Sequence, residues 1–281
     1  MTKEQILAEI SRLFEEDAAN FITAEAAIRP DLAGMRIYDA PIVGFGAADD
    51  ALFEEFRRPE VIGPWFKKPG EWLPGAKTVA ALFFPFSEAV RAANRAMTDG
   101  PSAEWLHGRI EGQAFQSGYI ARLAERLREM GVEACAPMVD ARFMSTVGAN
   151  DFARYGCADA AMFSSNWSER HAAYVCGLGT FGLHKSFITR RGTAGRFASV
   201  ILGEEIAPDA RDYTGVYDYC TKCGACIERC KACAITMESG KDHMRCAKWV
   251  AEISKPHAPR FGCGLCETGV PCEACAPGKQ A

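Results

Sequence analysis

The sequence lacks any long apolar segment and any excess of positive charge. Its longest apolar run, residues 78–86, is far shorter than the roughly 20 residues that a membrane-spanning helix needs. Lysine and arginine number 32 against 36 aspartates and glutamates, and the formal net charge of −4 argues against a broad nucleic-acid-binding face. The first residues, Met-Thr-Lys-Glu-Gln-Ile, show no secretory signal pattern. These absences predict a cytoplasmic protein without membrane association.

Cysteine, in contrast, is abundant, and ten of the 13 cysteines lie between Cys220 and Cys275. The run Cys220-Thr-Lys-Cys223-Gly-Ala-Cys226-Ile-Glu-Arg-Cys230 has the C-x2-C-x2-C-x3-C spacing typical of [4Fe–4S] ligation, with the fourth thiolate bound to a second cluster. The odd number of cysteines and the missing signal pattern disfavour a disulfide framework. A zinc ribbon is the alternative, but three cysteines at two-residue gaps suit a cube better than two separated zinc-binding pairs.

Upstream of the cysteines, the sequence predicts alternating helices and strands. The run from Lys77 to Phe86 has the β-branched and aromatic character of a buried strand. Ser102-Ala-Glu-Trp resembles a capping box, and Gly131 could end the helix that starts there. This order indicates α/β layering. The predicted helices cover residues 3–28, 102–130 and 167–176, and the predicted strands cover residues 77–86, 132–137, 185–189 and 196–202.

A glycine-rich turn follows the third predicted helix. It reads Gly177-Leu-Gly179-Thr-Phe-Gly182-Leu-His-Lys-Ser186, and its glycines permit left-handed backbone angles and close approach by another surface. A dinucleotide fingerprint is only loosely matched, because the turn follows a helix instead of joining a strand to one. By itself the turn is a weak signal of a cofactor site.

A basic loop, Arg190-Arg-Gly-Thr-Ala-Gly195, separates the last two predicted strands. One interpretation is a hairpin with a solvated, charged turn. The other is that Arg190, Arg191 and Arg196 hold carboxamides or phosphates of a cofactor, since a guanidinium presents several donors in a planar fork. The sequence leaves both interpretations open.

Together, these features resemble a known family. The glycine-rich turn, the basic loop, a strand ending in Leu202-Gly-Glu and the ferredoxin-type run are similar to epoxyqueuosine reductases and their relatives, the reductive dehalogenases, over roughly residues 75–275. The resemblance implies an α/β (α+β) fold, with a nitroreductase-like layered sheet-and-helix domain in residues 1–212 and a bacterial-ferredoxin-like domain with two [4Fe–4S] clusters in residues 213–281. It also implies base-off cobalamin, lined by Gly177, Gly179, Gly182, Lys185, Ser186 and Arg191.

The resemblance further implies how the cysteines divide between two clusters. The first cluster would be held by Cys220, Cys223, Cys226 and a late cysteine, and the second by Cys230, Cys246, Cys263 and Cys266. The late cysteine is either Cys272 or Cys275, because the family's C-x2-C-x3-C ending becomes C-x2-C-x5-C-x2-C in this sequence. We favour Cys272, since Pro271 could fix the turn that presents it.

One departure from the family concerns the chemistry. Epoxyqueuosine reductases carry a catalytic aspartate shortly before the glycine-rich turn, and Phe163 lies near that place in this sequence. The sequence also shows no helical repeats after Cys275 of the kind that some tRNA-acting relatives append. Both points argue against a tRNA substrate. Glu169, His171 and His184 flank the turn and are weak candidates to replace the missing proton donor.

The sequence thus supports one main hypothesis and two alternatives. The main hypothesis is a cobalamin-dependent iron–sulfur reductase of a small substrate, with a ferredoxin or flavodoxin as its electron donor. The first alternative is a ferredoxin-type electron-transfer or corrinoid-reactivating protein, which acts on a separate corrinoid protein and has no substrate of its own. The second alternative places a flavin in the nitroreductase-like pocket.

Overall fold

A computed structural model describes residues 1–145 and 164–279 of the chain. The strands are β1 (Ile42–Ala47), β2 (Thr78–Pro85), β3 (Ala134–Cys135), β4 (Gly179–Phe181), β5 (Phe187–Thr189), β6 (Gly195–Leu202), β7 (Ile235–Thr236) and β8 (Gly240–Lys241). The helices are α1 (Lys3–Glu16), α2 (Leu52–Glu55), α3 (Pro69–Trp72), α4 (Glu88–Arg95), α5 (Ala103–Glu129), α6 (Glu169–Val175), α7 (Ala225–Glu228) and α8 (His243–Ser254). The fold is therefore a mixture of sheet and helices, as predicted.

The main sheet has four antiparallel strands in the order β1-β2-β6-β3. The strand β2 lies inside the sheet, and every one of its residues is buried, in agreement with the sequence. It pairs with β1 on one side and β6 on the other, so that Ala80 lies opposite both Phe45 and Val200. A strand with neighbours on both edges and apolar layers on both faces has no exposed surface, which explains its continuous apolar sequence.

Two hydrophobic clusters cover opposite faces of this sheet. Leu82 and Phe84 of β2 belong to the first cluster, where Ile10 of α1 and Phe115 and Tyr119 of α5 pack against them. The alternate residues of β2 belong to the second cluster, together with α6 and apolar residues of the cysteine-rich end. Successive side chains of a strand point to opposite faces. The sheet therefore separates a helical layer from the layer that contains most of the cysteines.

The long helix α5 matches the predicted element closely. The side chain of Ser102 caps its first turn. Two of its glycines lie where the helix crosses aromatic rings: a Cβ on Gly108 would stand 2.6 Å from Phe86, and a Cβ on Gly112 would stand 2.6 Å from the hydroxyl of Tyr38. Close packing against the sheet accounts for both glycines.

The helix predicted for residues 3–28 is too long, because α1 ends at Glu16. In the segment that follows, the buried Asn20 exchanges two hydrogen bonds of 2.9 Å with the backbone of Tyr38. At the helix end itself, the side chain of Asp17 accepts a hydrogen bond of 3.0 Å from the backbone N–H of Ala19, and such a local bond competes with helical hydrogen bonding. This turn ends the helix, and the contact between Asn20 and Tyr38 holds the segment that follows it.

The hairpin interpretation of the basic loop is also wrong. The strand β5 pairs with β4, whereas β6 joins the main sheet. Gly179 makes the first pairing possible, since a Cβ there would stand 2.0 Å from the carbonyl oxygen of Ile188. Thr189 and Gly192 then exchange two backbone hydrogen bonds of 2.9 Å, which turn the chain away from β5.

No helix in the described parts of the chain has the length and apolar character needed to cross a membrane. The boundary predicted near residue 212 stays a prediction. Hydrophobic packing continues across it, since Tyr213 and Tyr219 belong to the same cluster as Phe187 and Ile188. The cysteine-rich end is therefore packed directly against the β4–β5 hairpin.

Candidate iron–sulfur site and an adjoining recess

Four cysteines line one cavity in the cysteine-rich end. Cys220 and Cys223 precede α7, Cys226 lies within it, and Cys272 approaches from a later loop. The cavity holds about 310 Å³ of empty space, part of it open to solvent. Cys226 and Cys272 are buried, whereas Cys223 is exposed. These four cysteines are the set predicted for the first cluster, and of the two candidates for the late cysteine it is Cys272 that lines the cavity.

The backbone of the basic loop holds Cys272 in this position. The N–H of Thr193 donates to the carbonyl of Cys272 at 2.9 Å, and the N–H of Ala194 donates to that of Glu273 at 3.2 Å. Gly192 has a φ of +82°, and a Cβ there would stand 2.2 Å from the carbonyl oxygen of Glu273. This position therefore requires glycine for both its backbone angle and its space.

The arginines of the basic loop have separate surroundings. Arg190 forms an ion pair with Asp212 at 2.8 Å, and Arg191 lies 3.6 Å from Asp39. Arg196, in contrast, lies close enough to Arg109 and Arg170 that its positive charge lowers the pKa of both guanidinium groups. The predicted role of these three arginines in holding a cofactor stays a prediction, and Arg196 is the one that lies near Arg109 and Arg170.

The remaining predicted ligands form a second group. Cys246 lies in the first turns of α8, and Cys263 and Cys266 lie in the loop that follows this helix. Cys230 and Cys246 both help to raise the pKa of the Cys263 thiol, so these three side chains are near neighbours. Lys241 lies beside Cys266. The second group therefore occupies the side of the cysteine-rich end that carries Lys241.

The chemistry of both groups fits iron–sulfur clusters. Burial raises the pKa of the Cys226 thiol to about 11 and that of Cys266 to about 12. Thiolates are the metal-binding form, and the positive charge of a bound metal stabilises a buried thiolate. No disulfide joins two of the cysteines that the structure describes, and in the same residues no three or more His, Cys, Asp or Glu side chains are grouped as ligands of a single metal ion. The thiols of the first group, spaced around a cavity, suit a multi-iron cluster.

A recess lined by basic side chains adjoins the second group. Arg170 of α6 is solvent-exposed, yet desolvation by the surrounding protein lowers the pKa of its guanidinium. From this combination we infer that the side chain lies in a recess of the surface. Burial and the positive charge of Arg196 lower the pKa of Arg109 to about 9. Arg109, Arg170 and Lys241 all interact with the carboxylate of Glu267. Positive charge therefore exceeds negative charge among these side chains, which favours an anionic ligand.

Glu267 connects this recess to the glycine-rich turn. The hydroxyl of Ser186 donates a hydrogen bond to its carboxylate. Burial alone would raise the pKa of Glu267, but the charge of Lys241 and the Ser186 hydrogen bond outweigh burial and lower it. Lys185 lies near His243 on the same side of the molecule. Of the residues predicted to line the cofactor, Lys185 and Ser186 therefore lie at the recess.

The three glycines of the turn allow other parts of the protein to come close. Gly177 ends α6 with a φ of +79° and faces the carbonyl of Ala210. Gly179 allows β4 to pair with β5, as described above. A Cβ on Gly182 would stand 2.8 Å from the ring of His184. Packing within the chain accounts for each glycine, and their predicted contact with cobalamin stays a prediction.

The three candidate proton donors have different surroundings. Both carboxyl oxygens of Glu169 are buried without a hydrogen-bond partner among the described residues, and burial raises its pKa to about 8. His171 has its Nδ1 at 2.8 Å from the hydroxyl of Ser168. His184 lies in the cavity of the first cysteine group, with Nε2 at 3.5 Å from Sγ of Cys272. Although these three residues are close in sequence, their side chains have different neighbours and do not form one catalytic group.

Some residues of this site could not be found from the sequence, and one prediction falls outside the structure. Phe163, near the place of the family's catalytic aspartate, lies outside the described residues. Arg109, Arg170, Lys241 and Glu267 were missed because they come from distant segments and isolated charged residues carry no pattern. The one local signal was that Glu267 directly follows a predicted cluster ligand.

No family model and no curated protein matches the chain. Among solved structures, it is similar to an epoxyqueuosine reductase with a tRNA-Tyr epoxyqueuosine-modified stem loop, with a TM-score of 0.56 and 15% identity over 96% of this chain and 64% of that one. A selenomethionine-labelled epoxyqueuosine reductase gives 0.51 and 17% over 82% of this chain and 61% of that one. The enzyme from Streptococcus thermophilus gives 0.51 and 15% over 99% and 67%. The chain has the fold of epoxyqueuosine reductases.

This similarity confirms the predicted α/β fold and, at the level of the fold, the resemblance seen in the sequence. With 15% and 17% identity it shows the fold alone. The chain spans 61% and 64% of the length of the first two structures named. Activity, cofactors and partners therefore need an argument from this chain's own residues.

Proposed function

We propose that the chain is an iron–sulfur oxidoreductase that carries two [4Fe–4S] clusters and uses cobalamin to reduce a small substrate. The observation that carries this proposal is the arrangement of two cysteine groups beside a basic recess. One group includes the exposed Cys223, and the other includes Cys266, which lies next to Lys241 of the recess. This arrangement suits electron transfer from the exposed first group, through the second group, to the basic recess.

The exposed group supports an electron-donating partner of the ferredoxin or flavodoxin type. Cys223 is the solvent-exposed member of the first group, and the half-exposed Val216 and Tyr217 precede that group in the chain. Electrons would enter at this side and leave from the side of Cys246 and Cys266. The formal net charge of −4 supports a small substrate more than tRNA, which would require a basic surface.

The residues of the recess fit cobalamin because its nucleotide tail carries a phosphate. Arg109, Arg170 and Lys241 surround the carboxylate of Glu267, and Arg170 and Lys241 also lie near Cys266. Their cationic groups offer several hydrogen-bond donors to a phosphate. Lys185 and Ser186 would contact the same ligand from the β4–β5 turn. Cobalamin, when bound, supplies a cobalt centre for reductive chemistry, whereas the protein supplies binding, orientation and electrostatics.

Of the three candidate proton donors, Glu169 has the pKa that best suits the role. Its pKa, raised by burial to about 8, keeps the carboxyl protonated at neutral pH. Burial lowers the pKa of His171 and His184 to about 4, so both rings are neutral at that pH. If Glu169 donates the proton, Glu169→Gln should abolish the alkaline limb of the pH–rate profile near pH 8, and an unchanged profile would exclude it.

Anaerobic reconstitution followed by cobalamin titration tests the proposal. We expect about eight iron atoms per chain, four for each cluster, and a change in the visible spectrum of cobalamin on binding. Arg170→Leu should weaken cobalamin binding, whereas Arg58→Leu should not, since Arg58 pairs only with surface carboxylates in the described structure. Absence of iron would refute the proposal.

A different set of results would favour the alternative functions. Two reducible clusters without cobalamin binding would support an electron-transfer or corrinoid-reactivating protein. Recovery of a corrinoid protein in an anaerobic pull-down would then identify the partner class. A bound yellow chromophore released by heat would instead point to flavin in the recess.

A further inference from the structure

The ring of His184 lies against the sulfur of Cys272. The distance from Nε2 to Sγ is 3.5 Å, and His184 is only 1% exposed. Both residues line the cavity that contains the other three cysteines of the first group. A buried, polar ring in direct contact with a predicted ligand is well placed to influence whatever that ligand binds.

The hydrogen bond that Nδ1 accepts determines which nitrogen of the His184 ring carries the proton. The backbone N–H of Ser186 donates to Nδ1 of His184 at 3.0 Å. A ring nitrogen that accepts a hydrogen bond bears no proton, so the neutral ring carries its proton on Nε2. The Nε2–H group therefore donates toward the sulfur of Cys272.

Gly182 provides the space in which this ring lies. A Cβ at Gly182 would stand 2.8 Å from Cε1 and 3.0 Å from Nε2 of His184. Gly182 is not among the glycines with a left-handed backbone. Space for the ring, and not backbone conformation, is therefore the reason for glycine at this position.

The β4–β5 hairpin keeps the ring in this orientation. Gly182 and Ser186 close the turn with a backbone hydrogen bond of 2.9 Å, and the hydroxyl of Ser186 is held by Glu267. Ring rotation would break the Ser186 hydrogen bond to Nδ1 and expose Nε2–H to apolar neighbours such as Ile188. The Nε2–H donor of His184 is thus held toward Cys272 before any cluster is bound.

We propose that His184 raises the reduction potential of the first cluster by donating an Nε2–H···S hydrogen bond to the thiolate of Cys272. The inference rests on the proposed function, since it requires a cluster at this cavity. Reduction adds one electron from the protein donor, and no proton moves, because the N–H stays on the ring. The N–H dipole stabilises the added negative charge, and hydrogen bonds to ligand sulfur are a known determinant of cluster potential. His184 is then a tuning residue and not a proton donor.

Redox titration of the anaerobically reconstituted full chain, followed by electron paramagnetic resonance, tests this proposal. His184→Leu should make reduction of one cluster about tenfold less favourable, a fall of about 59 mV for a one-electron couple, and should leave the other cluster unchanged. His184→Gln should give a potential near that of the wild type, because its amide N–H can replace Nε2–H. Gly182→Ala retains the imidazole but displaces it, and should lower the same potential.

Pulsed resonance measurements on protein with ¹⁵N-labelled histidine give a second readout. We expect a nitrogen coupling to one reduced cluster in the wild type and its loss in His184→Leu. Unchanged potentials in both His184→Leu and Gly182→Ala, or equal shifts of both clusters, would overturn the proposal. Equal potentials for the leucine and glutamine variants would also overturn it, since a space-filling role alone would produce that result.

Iron analysis separates failure of this inference from failure of the proposed function. If the wild type binds iron in two clusters but the potentials do not respond to His184, the inference alone is wrong. If the wild type binds no iron, the proposed function fails and the inference fails with it. Thermal unfolding of each variant before reconstitution shows whether the hairpin remains folded.

Discussion

We expect the charge of Glu273 to contribute most to holding Cys272 in its position. Glu273 directly follows Cys272 and is only 5% exposed. Its carboxylate accepts hydrogen bonds from Arg95 at 3.0 Å and 2.5 Å and from the backbone N–H of Gly269 at 2.7 Å. Arg91 lies 3.9 Å away. Substitution by glutamine keeps the shape of the side chain but removes the charge that both arginines face.

The magnitude follows from the burial of this pair. A hydrogen bond to a charged group contributes roughly 1.5–3 kcal/mol, and removal of one partner from a fully buried ion pair costs roughly 3–5 kcal/mol. The side chain of Arg95 is 43% exposed, so water compensates part of the loss. We therefore expect Glu273→Gln to lower the free energy of unfolding by about 2 kcal/mol and Tm by roughly 4–8 °C.

The effect should depend on pH. Burial opposes the charge of Glu273, but the hydrogen bonds from Arg95 and the Gly269 amide outweigh burial, and its pKa in the folded protein is lowered. A carboxyl with a lowered folded pKa contributes stability above its unfolded pKa of about 4.3, and this contribution is lost as the pH falls through the folded value. The difference between wild type and Glu273→Gln should thus be full at pH 7 and shrink below about pH 4.

Anaerobic thermal and urea unfolding measure this difference. Glu88→Gln is the matched control, because Glu88 binds the same Arg95 at 3.1 Å but is 61% exposed, and we expect it to cost less than about 0.5 kcal/mol. The reasoning is refuted if Glu273→Gln destabilises the protein no more than the control does. It is also refuted if the difference stays constant as the pH falls.

Three further substitutions test the cluster assignment and the packing. Cys272→Ser should reduce the iron content of the reconstituted protein from about eight to about four atoms per chain, whereas Cys275→Ser should leave it unchanged, and the reverse pattern would exchange their roles. Gly264→Ala should destabilise the protein by more than about 2 kcal/mol in urea unfolding, because φ is +72° and the new Cβ would stand 2.1 Å from a buried indole. Gly70→Ala is the control and should cost less than about 0.5 kcal/mol, since no atom lies within 4 Å of the new Cβ. Tyr119→Phe removes a 2.7 Å hydrogen bond to a buried carbonyl and should cost about 1–2 kcal/mol by the same assay.

Local patterns were sufficient for the long elements of the fold. The strand β2 was predictable because burial on both faces imposes a continuous apolar run, and the helix α5 was predictable because its sequence carries a helix-start and a helix-end signal. The segment after α1 was not predictable in this way. It is held by hydrogen bonds between Asn20 and Tyr38, whose partners are separated along the chain.

The sequence by itself determined which cysteines are candidate cluster ligands, because thiolate ligands for iron–sulfur clusters follow each other at fixed short spacings. Only the tertiary structure decided that Cys272 lines the first cavity, since that depends on the backbone of Thr193 from another part of the chain. The same holds for His184 against Cys272 and for the basic recess. Distances between remote segments are set by packing of the whole chain, and no local pattern records them.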